Sequence, residues 1–564
     1  MNLVDKVISE ISNKLDVDKT LVREELSQGG KFGHVSLKTF NLSEKIKKSP
    51  EKLTEIIEDS LKNIMPLTQV SNIGPYINLN FNGNVIAEEV IANIRKKGED
   101  FGSSDINKDK LYLVEYSSPN IGKPLHVGHI RSTVLGDSIS NILRFTGAKT
   151  YDINYLGDTG LHIGKIIAAF NLWGSKKDFD LDPENTMLNL YVRFSKEEAE
   201  NPKLSILANE ILEKIEAKDI ETLKKLDFIS DESNLVFQKI YSLLGINFDE
   251  ITGQSKFSER GKKVVENLIS KDIAKIAENG GIYVPLNEFN LPDKAVLRKN
   301  GTAIYATQDL GTAVDRFERF GFDKMLYIVG NEQETYFKQI FSILNKGGYN
   351  FVNNCEHISF GMLNLPDGKM KTREGNVINL EEVIMQSINL AKENLSKRNP
   401  ELKGDELETL SQQIGVGALK YMILSIEYKS DIAFSWEKAL NFSGKSGPYI
   451  QYGAVRAKKL LQGNELNLSY NANFSSFDSD LESKLLFDLS LFESVIENSA
   501  IKRRPDLLCS YIYNLTKSFS QVYTNIPILS GNSNQDEKLE LVNAYSVAMQ
   551  NGLHLLGINI PEKM

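Results

Sequence analysis

At 564 residues the chain is too long for one hydrophobic core, and three or four domains are expected. Its composition, 41% hydrophobic and 25% charged, is that of a soluble globular protein, and no apolar run approaches the roughly 18 residues of a membrane span. The net charge of −9 argues against a general nucleic-acid coat while leaving room for RNA contact along a local basic stripe, and the two distant cysteines, Cys355 and Cys509, exclude a disulfide framework.

The opening MNLVDKVISEISNKL carries apolar residues at helical spacing with acidic ones among them, unlike a secretion signal, and places the protein in the cytoplasm. Residues 1–105 read as a helix-rich segment followed by PLTQVSNIGPYINLNF, whose alternating apolar positions around a GPY turn predict strands and a separate α+β domain. From Lys110, KLYLVEY predicts a strand, SSPNIGKPLHVGH a loop, and IRSTVLGDSISNILRFTG a helix ending at Gly147. TYDINYLG is a second strand, and DKMLYIVG, QETYFKQIFSILNKGGY and HISFGML repeat strand, helix and strand. This alternation predicts a parallel sheet flanked by helices over 106–375. Between its halves, at about 175–285, lysine- and glutamate-rich helical patterning without strand signals predicts a helical insertion. Residues 376–440 read as a helical connection and 441–564 as a helical domain, interrupted by the polar loop NELNLSYNANFSSFDSD. Basic clusters such as Lys45, Lys47 and Lys48, or Arg456, Lys458 and Lys459, taken singly, read as solvated helix faces.

The most informative segment is SSPNIGKPLHVGHIRST. A strand-to-helix turn with small residues exposes backbone N–H groups and a positive helix end to a phosphate. Gly128 lets a nucleotide lie close to the backbone, and His126 and His129 can donate hydrogen bonds to phosphate oxygens as charge moves during transfer. Two histidines three apart also read as zinc ligands on one helical face. No third ligand stands nearby, so no protein-bound zinc is expected. About 240 residues further on, LPDGKMKTREGN sets Lys369, Lys371 and Arg373 on a glycine-flanked loop, where cations can neutralise a leaving pyrophosphate.

Together these segments resemble the two signatures of class I aminoacyl-tRNA synthetases, HIGH and KMSKS, which stand here as HVGH and KMKTR. More narrowly, VEYSSPNIGKPLHVGHIRSTVLGD, NGTAIYATQDLG, YIVGNEQETYFKQIF, FGMLNLPDGKMKTREGN, FSWEKALNFSGKSGPYIQYGAVRA and LLGINIPEKM follow the pattern of the arginyl-tRNA synthetase family in its order. The resemblance implies an α/β protein: a split Rossmann-like catalytic domain, an N-terminal α+β domain that touches the outer corner of tRNA, and a C-terminal all-α anticodon-binding bundle. It implies ATP with Mg²⁺, L-arginine and tRNA(Arg) as substrates, no membrane partner, and action as a monomer.

Carried over residue by residue, it implies arginine contacts from Ser118, Asn120, His129, Tyr305, Asp309 and Gln333, with Glu115 a weaker candidate. Chemistry supports Asp309, because a planar, permanently charged guanidinium pairs with a carboxylate through two parallel bonds that lysine cannot reproduce. Tyr305 stands four residues before it, on the same helical face. Asn120 and Gln333 suit the substrate's ammonium and carboxylate. The ATP site maps to His126, Gly128, His129, Lys369 and Met370, with Gly361 and Met362 offering backbone groups to adenine. His126, His129, Lys369 and Lys123 take the catalytic roles, Lys123 because Thr372 holds the place of the second signature lysine. The pattern also departs at Thr159 and His162, so Asp158 and His162 receive no role. In the bundle, Tyr449, Tyr452 and Arg456 are expected as a platform for unstacked bases, with core packing the alternative for the two tyrosines. A small-molecule adenylyltransferase would not need the terminal domains, and a non-catalytic RNA-binding relative would not need intact His126, His129, Lys369, Tyr305 and Asp309.

Overall fold

Leu111–Glu115 is a continuous apolar run, buried from Tyr112 onward, as a strand covered on both faces must be. The computed structural model describes residues 3–29, 33–62, 67–364, 379–464, 474, 477, 479–531 and 534–564. In it this strand centres a five-stranded sheet in the order Cys355–Phe360, Lys324–Gly330, Leu111–Glu115, Lys149–Leu156, Glu250–Gly253. All neighbouring pairs run parallel. Side chains alternate between faces: Leu113, Ile153 and Met325 join one core with Leu310 and Phe337, while Val114, Leu326 and Ile328 join another with Val127, Ile130 and Val134. The chain first builds outward through Lys149–Leu156 and later returns on the other side through Lys324–Gly330, so strand order reverses beside Leu111–Glu115. In such sheets ligands bind outside the carboxyl ends at that reversal.

The expected helical insertion at 175–285 needs correction. Its helices, Lys176–Leu181, Pro183–Glu200, Lys203–Glu216 and Ile220–Leu244, end at Leu244. Glu250–Gly253 then pairs with Ile153–Leu156 as the edge of the main sheet. Lys275–Ile276, Ile282–Val284 and Lys294–Leu297 form a small antiparallel sheet. Strands of two to four residues are too short to show a period of two, and a partly polar edge strand such as EITG carries no apolar run.

The N-terminal residues form a four-stranded antiparallel sheet, order Leu26–Gln28, Val35–Lys38, Tyr76–Phe81, Leu67–Ile73, with helices that include Pro50–Leu61 and Gly83–Lys97. Phe81 stacks on Phe487 of the C-terminal helices at 5.1 Å, and Arg95 pairs with Glu540 at 2.6 Å. Those C-terminal helices are Gly447–Leu461, Asp480–Ser490, Phe492–Lys502, Pro505–Asn525 and Gln535–Leu555. Leu380–Arg398 and Gly404–Leu424 connect them to the sheet domain. No helix among the described residues is long and apolar enough to cross a membrane.

Candidate active site

Beyond Glu115 the chain turns sharply, with Ser117 and Ser118 at φ of 69° and 48°. Such backbone costs energy unless its surroundings fix it. Here Ser117 N–H donates to Ser132 Oγ at 3.0 Å and Ser118 N–H to Asn154 Oδ1 at 3.1 Å. The loop then enters the signature helix, Val127–Phe145. Its first turn is capped by histidines in place of the usual hydroxyl and carboxylate: Gly128 N–H donates to His126 Nδ1 at 3.1 Å, and His126 N–H to His129 Nδ1 at 3.0 Å. Because both Nδ1 atoms accept, the neutral rings carry their protons on Nε2 as donors. Burial, then the neighbouring His126, pushes His129 down to about 3, so it serves as a neutral donor at physiological pH. A Cβ on Gly128 would sit 2.8 Å from the His126 ring, which is why this turn takes glycine.

His126, Gly128, His129, Ser118, Gly361 and Met362 line a cavity of about 420 Å³. Of the backbone groups that Gly361 and Met362 were expected to offer adenine, the N–H groups are engaged within the protein. Gly361 N–H donates to Tyr428 O at 2.9 Å and Met362 N–H to Asp431 Oδ1 at 2.7 Å. Their carbonyls accept from the buried Arg131, and Met362 O also accepts from Ile432 N–H. Both N–H groups are thus held within the protein, and Met362 as a residue is 38% exposed. Lys369 and Met370 lie outside the described residues, as do Lys371, Thr372 and Arg373.

A second cavity, of about 740 Å³, shares Ser118 and Val329 with the first. Asn120, Tyr305, Asp309, Gln333 and Glu115 all line it, so the fold brings these sequence candidates together from three separate segments. Asp309 is half-buried and accepts a hydrogen bond from the Tyr336 hydroxyl. Burial pushes its carboxyl up to about 6, with Tyr336 opposing and Glu115 adding to the rise. Tyr305, about half exposed, donates to Thr159 O at 3.2 Å at the mouth. Glu115 is paired with Arg316, both side chains buried, so its carboxylate is already engaged by a protein cation. The sequence reading missed Tyr336 and also Lys294, whose ammonium lies 4.4 Å over the Tyr336 ring inside this cavity. Tyr336 falls in the block YIVGNEQETYFKQIF, three residues after Gln333, which was the available signal.

Lys123 does not line either cavity; its ammonium stands 4.4 Å over the Tyr191 ring. Asp158 fastens Ser255, through N–H at 2.8 Å and Oγ at 2.5 Å, and His162 contacts Gly157 O at 3.2 Å. On the helix Gly447–Leu461, the Arg456 guanidinium lies over Tyr452 at 4.2 Å and over the partly exposed Tyr523 at 4.9 Å. Tyr449 packs toward Tyr513 instead, at 5.6 Å.

The family described as tRNA synthetases class I (R), catalytic domain, matches residues 90–436, and the DALR anticodon binding domain matches 450–564. The chain is 34% identical over 563 residues to the arginine–tRNA ligase of Halothermothrix orenii, covering 100% of this chain and 99% of that one. It is 35% identical over 554 residues to arginine–tRNA ligase 1 of Bacillus cereus, covering 98% and 97%. Its fold is similar to that of the arginyl-tRNA synthetase of Thermus thermophilus, with a TM-score of 0.80 at 21% identity over 100% of both chains. It is likewise similar to the enzyme of Plasmodium falciparum, with a TM-score of 0.80 at 22% identity over 99% of each.

Proposed function

The chain belongs to the class I arginyl-tRNA synthetases and is an arginine–tRNA ligase, and from that premise we propose how its residues divide the reaction. The enzyme activates L-arginine with ATP to arginyl-adenylate and passes the arginyl group to the 3′-terminal adenosine of tRNA(Arg), releasing AMP and pyrophosphate. In the first step a carboxylate oxygen of arginine attacks the α-phosphorus in line, and the bond to the β-phosphate breaks. In the second, by class membership, the 2′-hydroxyl attacks the carbonyl carbon and AMP leaves. Mg²⁺ enters with ATP as part of the substrate.

In this proposal the larger cavity takes arginine and the smaller takes ATP. The carrying observation is that the two share Ser118 and Val329, with Asp309 in one and the signature helix N-terminus in the other. Asp309 pairs with the guanidinium beside Tyr305, and Asn120, Gln333 and Ser118 hold the ammonium and carboxylate toward His129. Glu115 acts on arginine only through Arg316. His126, Gly128 and His129 donate to the phosphates, Met362 lies against the base, and Lys369 and Met370 belong to the loop that meets the pyrophosphate. Positioning and charge stabilisation carry such a transfer without a covalent enzyme intermediate. Lys123 acts on the triphosphate by leaving Tyr191. Tyr452 and Arg456, with Tyr449 behind them, contact tRNA, and residues 1–105 form a further tRNA-contacting domain.

Action as a monomer in the cytoplasm completes the proposal; sedimentation at the mass of two chains would contradict it. The division of roles is tested with Lys369→Ala. A cation acting mainly in the transition state is expected to lower kcat in arginylation far more than it weakens ATP binding. A variant whose only defect is a raised ATP KM would contradict that role.

A further inference from the structure

The helical insertion grips the signature loop at three places. Gly122 N–H donates to Ser233 Oγ on the helix Ile220–Leu244 at 2.9 Å, and Lys123 covers Tyr191 on Pro183–Glu200. The third contact reaches the first histidine. Glu184, in the first turn of Pro183–Glu200, accepts a hydrogen bond from Asn379 Nδ2. Asn379 Oδ1 is already occupied, since it caps Leu380–Arg398 by accepting Glu381 N–H at 2.8 Å. The Asn379 backbone bridges antiparallel to His126, and Leu380 N–H donates to Leu125 O at 2.9 Å. Any movement of Asn379 therefore moves His126. Glu184 also faces Glu381, whose Oε1 meets Lys239 Nζ at 2.6 Å.

We propose that Glu184 is a positioning residue: through Asn379 it fixes, from the insertion, the backbone of His126 and hence the phosphate-binding end of the signature helix. Side-chain bonds to a capping asparagine would be gratuitous on a mere spacer, whereas a loop that must meet a triphosphate gains from being held on both flanks. Among the described residues, the charged groups facing Glu184 are Glu381 from Leu380–Arg398, Lys239 from Ile220–Leu244, and Asp182 at the head of the same helix. Burial, then Glu381, pushes Glu184 up to about 7. The bond from Asn379 favours the ionised carboxylate and opposes that rise, so it stands on both sides of this value. Glutamine at 184 keeps the bond at every pH, its carbonyl accepting from Asn379.

The test is arginylation kinetics of the full chain with tRNA(Arg) near pH 6 and near pH 8.5. Glu184→Ala is expected to raise the ATP KM about tenfold with the arginine KM unchanged. Glu184→Gln, which keeps the bond from Asn379, is expected to match the unsubstituted enzyme within about twofold at both pH values. An unchanged ATP KM in Glu184→Ala, an equal rise in both KM values, or a defect that glutamine does not rescue would overturn the proposal. It rests on reading His126 as nucleotide-binding, so His126→Ala is measured alongside. A damaged His126→Ala with a silent Glu184→Ala removes the brace alone, and a silent His126→Ala removes both.

Discussion

Asp309 carries the specificity for arginine in this account, and its burial gives that role a pH signature. With its carboxyl pushed up to about 6, the empty pocket holds a proton below that pH, which arginine must displace before its guanidinium can pair. The arginine KM is therefore expected to be flat above about pH 6 and to rise toward tenfold per unit below it, a slope that initial-rate kinetics across pH will show. Tyr336 holds the carboxyl down by donating to it, so Tyr336→Phe should move the break to higher pH. A break unmoved by that substitution would dissociate Tyr336 from the site. Lys123 stands over the Tyr191 ring. If it leaves Tyr191 for the triphosphate, Lys123→Ala should cost about 10- to 100-fold in kcat/KM, about 1.4–2.8 kcal/mol, with partial recovery on adding Thr372→Lys. A near-silent Lys123→Ala would leave it as packing on Tyr191. Asp309 and Tyr305 were legible through the family resemblance, which four-residue helical spacing and guanidinium chemistry supported, and both line one cavity. Lys294 and Tyr336 were not, because a short strand and a separate helix bring them to the pocket, and neither pattern announces its destination.

At the scale of elements, legibility followed length and burial. Leu111–Glu115 and Lys324–Gly330 are apolar runs buried on both faces and could be read directly. Glu250–Gly253 could not, since an edge strand takes its stability from one neighbour's hydrogen bonds and leaves little trace in hydropathy. The partners of the Gly361 and Met362 backbone, Arg131, Tyr428 and Asp431, could not be read either, because they lie far away in sequence. Helix packing makes a prediction of its own. Gly453 sits so close to its neighbours that a Cβ would fall 2.5 Å from Thr516 Cγ2 and 2.7 Å from the Tyr545 hydroxyl. Both neighbours are fully buried. Gly453→Val should destabilise the protein by about 1–3 kcal/mol or more in denaturant unfolding, and an unchanged midpoint would contradict this packing.

Across the whole molecule, the C-terminal helices are tied to the catalytic sheet and to the N-terminal domain rather than tethered to them. Ser138 of the signature helix donates to Leu555 O at 3.0 Å, and the buried Lys420 donates to Gly557 O at 2.8 Å. Phe81 and His34 stack on Phe487. Removing residues from 441 onward would expose these surfaces, so truncation is a poor test of anticodon binding. Arg456→Ala is a better one, since its guanidinium bridges Tyr452 and Tyr523 at the surface. It should raise the KM for tRNA and leave that for arginine unchanged, and an unaltered tRNA KM would contradict a nucleic-acid role for this cluster. The central claim is that arginine and ATP occupy two cavities that meet at Ser118. The most direct measurement is calorimetric binding of a non-hydrolysable arginyl-adenylate analogue, of AMP and of arginine to the unsubstituted enzyme and to Asp309→Asn. The analogue should bind far more tightly than either fragment, and Asp309→Asn should weaken the analogue and arginine by the same factor while sparing AMP. An analogue that binds no better than AMP, or an Asp309→Asn enzyme that loses AMP, would contradict the account.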